Sequence, residues 1–168
     1  MQFDIVLLRL LHIVFSVIWA GGVFALAVII EPRLRALGPS VQRPFMKAIM
    51  PAFVHTMLGS ATVAIVSGIF LVLRIRHSSL DSFFDTGWGW AILISFIAAI
   101  SAYSIGLTRV LPTSKRIIKM GDGIEGRAPT PEEMQQMQAL GKNLRMFSRT
   151  AMVLIFIALG AMASARFV

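Results

Sequence analysis

The chain has 168 residues, of which 57% are hydrophobic and only 14% are charged, and its formal net charge is +8. Soluble domains carry about 25% charged residues, so this composition excludes an ordinary soluble protein and predicts an integral membrane protein. The chain contains no cysteine, which excludes disulfides, thiolate metal sites and cysteine nucleophiles. The positive charge does not indicate nucleic-acid binding, because most of the basic residues lie in two loops.

The apolar residues form four stretches, each near or above the roughly 20 residues that a spanning helix needs. They cover about residues 5–30, 48–73, 88–108 and 148–167. We expect an all-α fold: a single domain, 1–168, in which four transmembrane helices form one bundle in the lipid bilayer. The sequence ALA at 25–27 mimics a signal-peptide cleavage site, but the apolar run continues through Ile30, so the first stretch is interpreted as a membrane span.

Basic residues are distributed unevenly among the three loops. The second loop holds Arg74 and Arg76, balanced by Asp81 and Asp85. Because cytoplasmic loops are enriched in Lys and Arg, the more basic first and third loops are predicted to be cytoplasmic and both termini to lie on the outer side. The basic residues of these two loops are Arg33, Arg35, Arg43, Lys47, Arg109, Lys115, Arg116, Lys119, Arg127, Lys142 and Arg145.

The first span, 5–30, carries an arginine, a histidine and a tryptophan among apolar residues, in the stretch RLLHIVFSVIWAGG. The spacing places Arg9, His12 and Trp19 on one face of the helix. An ionisable residue inside a span is a candidate functional residue, and imidazole is a common axial ligand of haem iron. The structural alternative is that His12 donates one hydrogen bond to a neighbouring helix while Arg9 extends to the interface.

The second span, 48–73, contains another histidine, His55, and near its inner end Pro51, which is expected to kink the helix. Helix geometry places His55 about 12 Å above the inner end and His12 about 10 Å below the outer end. Their depths therefore differ by roughly 15 Å, whereas both ligands of one metal lie about 2 Å from it. We expect two metal sites, or one site in which only one of these histidines is a ligand.

Small residues recur at every fourth position of the last three spans, a spacing that lets helices approach closely in lipid. The ten methionines suggest a copper site, since thioethers bind Cu(I), but their scatter over the cytoplasmic half favours a packing role. The small residues are Ser60, Ala64, Gly68, Ala98, Ala102, Gly106, Gly160 and Ser164.

The third loop, 109–147, contains the sequence TPEE at Thr130–Glu133, which is typical of a capping box with proline at the first helical position. From there apolar residues follow helical spacing into the last span. The sequence therefore predicts an amphipathic helix that begins at Pro131 and extends the last span about 20–25 Å into the cytoplasm. Its apolar side either packs against an extension of the third span or binds a partner.

Several of these stretches resemble a known family. The sequence RLLHIVFSVIWAGGVFAL followed by PRL, then KAIMPAFVHT and GWGWAILI, is similar to HemJ-type protoporphyrinogen oxidases and to the related CopD-like membrane proteins. The resemblance implies a four-helix bundle that binds haem b through His12, with Arg9 either paired with a haem propionate or directed to the outer interface. HemJ-type enzymes also need a lysine early in the third span; here that region reads Trp90, Ala91 and Ile92.

Three functions follow as hypotheses. The first is a haem b-binding redox protein of the bacterial inner membrane, which transfers electrons or acts as an oxidoreductase on a lipophilic substrate. Its candidate cofactor-binding residues are Arg9, His12, Trp19 and His55, with the two histidines as metal ligands. The second is a CopD-like protein that handles copper or transports a small solute. The third is a cofactor-free structural subunit of a membrane complex. Expected partners are the bilayer, a redox partner or other membrane subunits, and a second copy of the chain.

Overall fold

The computed structural model describes residues 3–76, 83–124 and 126–167. The described chain is 94% helical and contains no strand, as the sequence predicts. Four of its helices are long and apolar enough to cross a membrane, so the prediction of a four-helix integral membrane protein is confirmed. Asp81, which enters the charge argument, lies outside the described residues.

The described chain forms four long helices and one short helix that links the first two of them. The long helices are α1 (Phe3–Ala36), α3 (Met50–Arg76), α4 (Gly87–Gly123) and α5 (Pro131–Phe167, with its last three residues in a 3-10 turn), while α2 (Pro39–Ala48) links α1 to α3. A 3-10 turn at Phe83–Asp85 precedes α4. The break between α2 and α3 falls at Ile49, two residues before Pro51, where the proline cannot donate a hydrogen bond to the carbonyl of Lys47.

The helices extend beyond the predicted spans at the end where α2 lies, here called the basic end. The third helix does not stop at residue 108 but continues to Gly123, and α5 begins at Pro131. The segment predicted as a loop, 109–147, therefore consists mainly of two helical extensions, which pack against each other. The half-buried side chains of Met137, Leu140 and Leu144 lie along α5 at the predicted spacing.

The capping box predicted at the start of α5 is present. The Thr130 hydroxyl accepts a hydrogen bond from the Glu133 backbone N–H at 3.2 Å, and the Glu133 carboxylate accepts one from the Thr130 backbone N–H at 2.9 Å. The same carboxylate binds both terminal nitrogens of Arg127, at 2.8 and 2.5 Å. Because Arg127 also donates to the carbonyl of Gly123, this cluster connects the end of α4 to the start of α5.

The helices pack as two close pairs, α1 with α3 and α4 with α5. Ser60, Ala64, Ala98 and Ala102 are buried, as their four-residue spacing predicts. In α4 and α5 the approach is close enough for the Ser95 hydroxyl to donate to the carbonyl of Ala158 at 2.5 Å.

The small residues predicted to pack in the last span are a different case. Gly160 and Ser164 are exposed, and the buried positions of α5 are Ala151, Ile155, Ala158 and Ala165. These positions follow one another in steps of four, three and seven residues. Gly160 follows Ala158 by two residues, which is about 200° around the helix, so Gly160 and Ser164, one turn later, lie away from the buried face.

Ion pairs connect the helices at both ends of the bundle. At the basic end, Arg145 of α5 binds Glu31 of α1 at 2.6 Å, with both side chains half-buried. At the other end, Arg74 of α3 binds Asp4 of α1 at 2.8 Å. The first residues of α1 and the last residues of α5 both lie at this second end, which is here called the terminal end.

Candidate functional site

His12 is held against α3 by a hydrogen bond to the main chain, which is the contact that the structural alternative predicts. Its Nδ1 lies 2.7 Å from the carbonyl oxygen of Ala64. A carbonyl oxygen only accepts, so Nδ1 carries the proton and donates. Nε2 of the neutral ring then has a free lone pair and makes no hydrogen bond to the described residues, and the His12 side chain is half-buried. A histidine oriented in this way through Nδ1 has the geometry of a metal ligand that binds through Nε2.

A glycine on α3 makes room for the imidazole ring. A Cβ added to Gly68 would lie 2.9 Å from Cε1 and 3.0 Å from Nδ1 of His12, closer than van der Waals contact allows. On the opposite helix, Met57 of α3 packs in the same way against Gly22 of α1. His12 therefore fits a recess in α3 while Met57 fits a recess in α1, and these two contacts fix the register of the α1–α3 pair.

Trp19 lies deeper in the bundle than His12. Its side chain is buried in the core cluster with Ala61, Ala98 and Ala102. It also lines a small, partly open cavity of about 50 Å³ between the helices, together with Tyr103. Two π-helical turns, Ala25–Ile30 in α1 and Gly106–Val110 in α4, contribute residues to the wall of this cavity.

Arg9, His12 and His55 do not line this cavity. Arg9 is exposed and makes no hydrogen bond or ion pair with the described residues. His55 is exposed on α3, and its Nδ1 lies 2.6 Å from the carbonyl of Pro51, one turn earlier in the same helix. His12 is level with Ala64, nine residues along α3 from His55, so the two histidines are separated by about 13 Å along the axis. The structure does not bring them together.

Among the described residues, His12 is placed to act as one ligand of a haem iron. A haem has room on only one side of the His12 ring. His12 offers an oriented ring nitrogen, which is the donor that haem iron requires. The cavity of about 50 Å³ at Trp19 is far below the roughly 300–1,000 Å³ of ordinary cofactor pockets. A macrocycle bound to His12 therefore has room only on the accessible side of the ring, outside the cavity. For a metal ion without a macrocycle, the described residues contain no group of three or more His, Asp or Glu side chains that could hold it.

Sequence reasoning missed the residues that position His12. The carbonyl of Ala64 and the recess at Gly68 come from α3, and both residues were noted only as members of the small-residue repeat. The sequence signal for this contact is Gly68 in that repeat, because a large side chain on a facing helix fits only where the opposite helix has such a recess. The contact between the Thr62 hydroxyl and the Tyr103 hydroxyl, at 3.2 Å, was also missed.

A groove of about 640 Å³ lies at the basic end, between the extensions of α4 and α5. Its lining combines charged, polar and apolar residues, which are Arg116, Lys119, Met120, Gly123, Glu133, Gln136, Ala139 and Leu140. The two extensions thus pack against each other, which was one of the two alternatives for the amphipathic helix, and they still leave a surface that a partner can reach.

Comparison with known proteins adds no relative. No protein-family model matches the chain, no curated protein is similar to it, and no solved structure matches it. The resemblance to HemJ-type and CopD-like proteins therefore stays a prediction that rests on the residues quoted for it.

Proposed function

We propose that this chain is a membrane redox protein that binds haem b through Nε2 of His12. The observation that carries the proposal is the hydrogen bond between His12 Nδ1 and the carbonyl of Ala64, at 2.7 Å. It sets the tautomer and the orientation of an imidazole inside an apolar helix pair. A bound haem supplies a one-electron carrier, whose potential depends on axial ligation, burial and hydrogen bonding.

The residues around His12 have separate roles in this proposal. Ala64 keeps the proton on Nδ1, so that Nε2 stays available as a ligand. Gly68 gives the ring its place beside α3. Arg9 is exposed three residues before His12 and is suited to an anionic group such as a propionate, because guanidinium binds carboxylates through two parallel hydrogen bonds. Trp19 belongs to the core beneath the site, and His55 is assigned no part in it.

The proposal includes the location and the partners. The basic end would face the cytoplasm and both termini the outer side of a bacterial inner membrane, because Lys and Arg concentrate at cytoplasmic loops. The extensions of α4 and α5 would then project into the cytoplasm. A redox partner or another membrane subunit, including a second copy of the chain, would pack on the accessible side of His12.

A reduced-minus-oxidised absorption spectrum of the purified protein tests the proposal. We expect Soret and α-band changes in the wild type and in His55→Ala, and their loss in His12→Ala. His12→Gly with added imidazole is expected to recover the bands, which separates loss of a ligand from loss of the fold. A wild type without haem bands, bands that persist in His12→Ala, or stoichiometric copper without pigment would each overturn the proposal.

A further inference from the structure

The outward side of α3 carries polar groups at two places, with a glycine between them. His55, Gly59 and Thr62 follow each other at four and three residues, so they share one face of the helix, and all three are exposed. Thr62 contacts Tyr103 of the neighbouring α4 through their hydroxyl groups. We call this surface, formed by His55, Gly59, Thr62 and Tyr103, the α3–α4 notch.

Both ends of the notch offer hydrogen-bond acceptors. At His55, the proton on Nδ1 is donated to the carbonyl of Pro51, so Nε2 of the neutral ring is an acceptor. At the other end, the Thr62 hydroxyl lies 2.9 Å from the carbonyl of Leu58 and 3.2 Å from the Tyr103 oxygen. A hydroxyl has one proton, and the carbonyl can only accept it. Tyr103 therefore donates to Thr62, and its own oxygen keeps lone pairs for a ligand.

The distance between the two ends suits a 1,4-dihydroxy ring. His55 and Thr62 are seven residues apart, so their Cα atoms are about 10.5 Å apart along the helix axis. Both side chains bond the carbonyl four residues earlier, so they are displaced along the axis in the same sense, and the Tyr103 oxygen lies 3.2 Å from the Thr62 hydroxyl. The two oxygens of a 1,4-hydroquinone lie roughly 5.5 Å apart by covalent geometry. Adding one hydrogen bond of about 2.8 Å at each end gives a span of about 11 Å.

The middle and the surroundings of the notch suit such a molecule as well. Gly59 lies between the polar ends, and no heavy atom lies within 4 Å of a Cβ added there, so a flat ring has room to lie against the backbone. Beyond Thr62 the same face continues with the exposed apolar side chains of Val66, Ile69 and Leu73. A lipid-soluble chain attached to the ring can lie along these side chains in the bilayer.

We propose that the α3–α4 notch binds the hydroquinone ring of a lipid-soluble quinol. The reduced form is specified because its two hydroxyl groups donate hydrogen bonds, whereas an oxidised quinone offers only acceptors to the acceptors of the notch. This proposal identifies the lipophilic substrate of the redox function proposed above as a quinol, and to that extent it rests on the proposed function. The binding itself involves only the four residues of the notch.

Photolabelling in nanodiscs tests this binding without any need for haem. The probe is a photoreactive azido derivative of a short-chain ubiquinol, kept reduced, and the labelled peptides are identified by mass spectrometry. We expect labelling within residues 55–62 and around Tyr103, with decylubiquinol competing at least tenfold better than decylubiquinone. Gly59→Leu fills the notch, and His55→Phe removes the acceptor nitrogen, so each is expected to reduce labelling at least tenfold.

Gly160→Leu is the matched control, because Gly160 is another exposed glycine with no heavy atom near an added Cβ. It is expected to leave labelling unchanged. Labelling spread evenly over the lipid-facing helices, or retained in both notch variants, would overturn the proposal. So would equal competition by the two redox forms, or disulfide-linked dimers of His55→Cys, which would show that a second copy covers the notch.

The two proposals fail separately. If the wild type shows no haem bands but labelling of the notch persists, only the haem proposal fails. If His12→Ala abolishes the haem bands in a protein whose notch is never labelled, only the quinol proposal fails. Labelling that persists in His12→Ala is the expected result, since His12 and His55 are about 13 Å apart along the bundle.

Discussion

At the scale of single residues, two glycines on facing helices receive side chains of different stiffness. Gly22 of α1 receives the sulfur end of Met57, and Gly68 of α3 receives the ring of His12. A methionine end can turn away through its rotatable bonds. The imidazole ring is rigid and is tied to the carbonyl of Ala64, so it can move only by breaking that bond. The same added methyl group therefore has unequal consequences at the two positions.

Gly68→Ala is predicted to destabilise the protein more than Gly22→Ala. We expect a loss of roughly 1–3 kcal/mol for Gly68→Ala, the usual cost of overpacking, and a smaller loss for Gly22→Ala. Thermal or denaturant unfolding in a single detergent measures both. Gly59→Ala serves as the control, because an added Cβ has open space there. Equal losses at Gly22 and Gly68 would show that the His12 ring is not held in place by its hydrogen bond.

The sequence identifies the candidate residues of the site more readily than their surroundings. Arg9, His12 and Trp19 stand out because a span contains few polar or indole side chains. The acceptor at Ala64 is a main-chain carbonyl, which any residue carries, so no side-chain pattern marks it. It follows only from the register between α1 and α3. For the same reason, the sequence leaves open whether His55 faces the bundle or the lipid.

At the scale of helices, the start of α5 depends on one carboxylate. Glu133 accepts hydrogen bonds from Arg127 and from the backbone of Thr130. These bonds, the one from Arg127 first, lower the pKa of Glu133 from its ordinary value of 4.5 to about 2. The residue lies well before the apolar stretch at 148–167, in the part of α5 that precedes the predicted span.

Glu133→Gln is predicted to loosen the first turns of α5 in a pH-dependent way. The folded pKa is depressed, so the carboxylate stabilises the folded state fully above the unfolded value near 4.5 and ceases to do so as the pH falls toward 2. We therefore expect stronger amide-exchange protection of 133–137 in the wild type than in the variant above about pH 5, with the difference shrinking below about pH 4.5. Protection is compared after correction for intrinsic exchange rates.

Glu132→Gln is the matched control for this measurement. Glu132 is the preceding residue, is exposed, and makes none of these bonds with the described residues. It should leave both the protection and its pH dependence unchanged. A Glu133→Gln variant that follows the wild type at every pH would show that the cluster with Arg127 does not order the start of α5.

Helix starts with local signals are predictable, whereas helix irregularities are not. The cap at Thr130 is visible because a capping box is a pattern of adjacent residues. The π-helical turns at Ala25–Ile30 and Gly106–Val110 have no such pattern, since they depend on how α1 and α4 meet their neighbours. The continuation of α4 to Gly123 was predicted only as one alternative, because its partner, the extension of α5, lies far away in sequence.

At the scale of the whole molecule, the four helices run antiparallel and bring the start of α1 and the end of α5 to one end. Long apolar stretches predict this arrangement well, since each spanning helix reverses the chain. Most of the Lys and Arg residues lie at the opposite, basic end. The ion pair between Glu31 and Arg145, at 2.6 Å, connects the two helix pairs there. The basic residues of both helix pairs thus collect at one end of the assembled bundle, and this asymmetry predicts the orientation of the bundle in the membrane.

Single-cysteine labelling in intact bacterial cells is predicted to find the terminal end outside. The chain has no cysteine, so Phe167→Cys and Lys142→Cys each introduce one thiol at an exposed position at opposite ends. We expect a membrane-impermeant maleimide to label Phe167→Cys in intact cells, and Lys142→Cys only after permeabilisation, because positive charge is retained on the cytoplasmic side. Denatured samples of both variants give the full labelling level. The opposite pattern would place the extensions of α4 and α5 outside the cell, and with them the groove between those two helices.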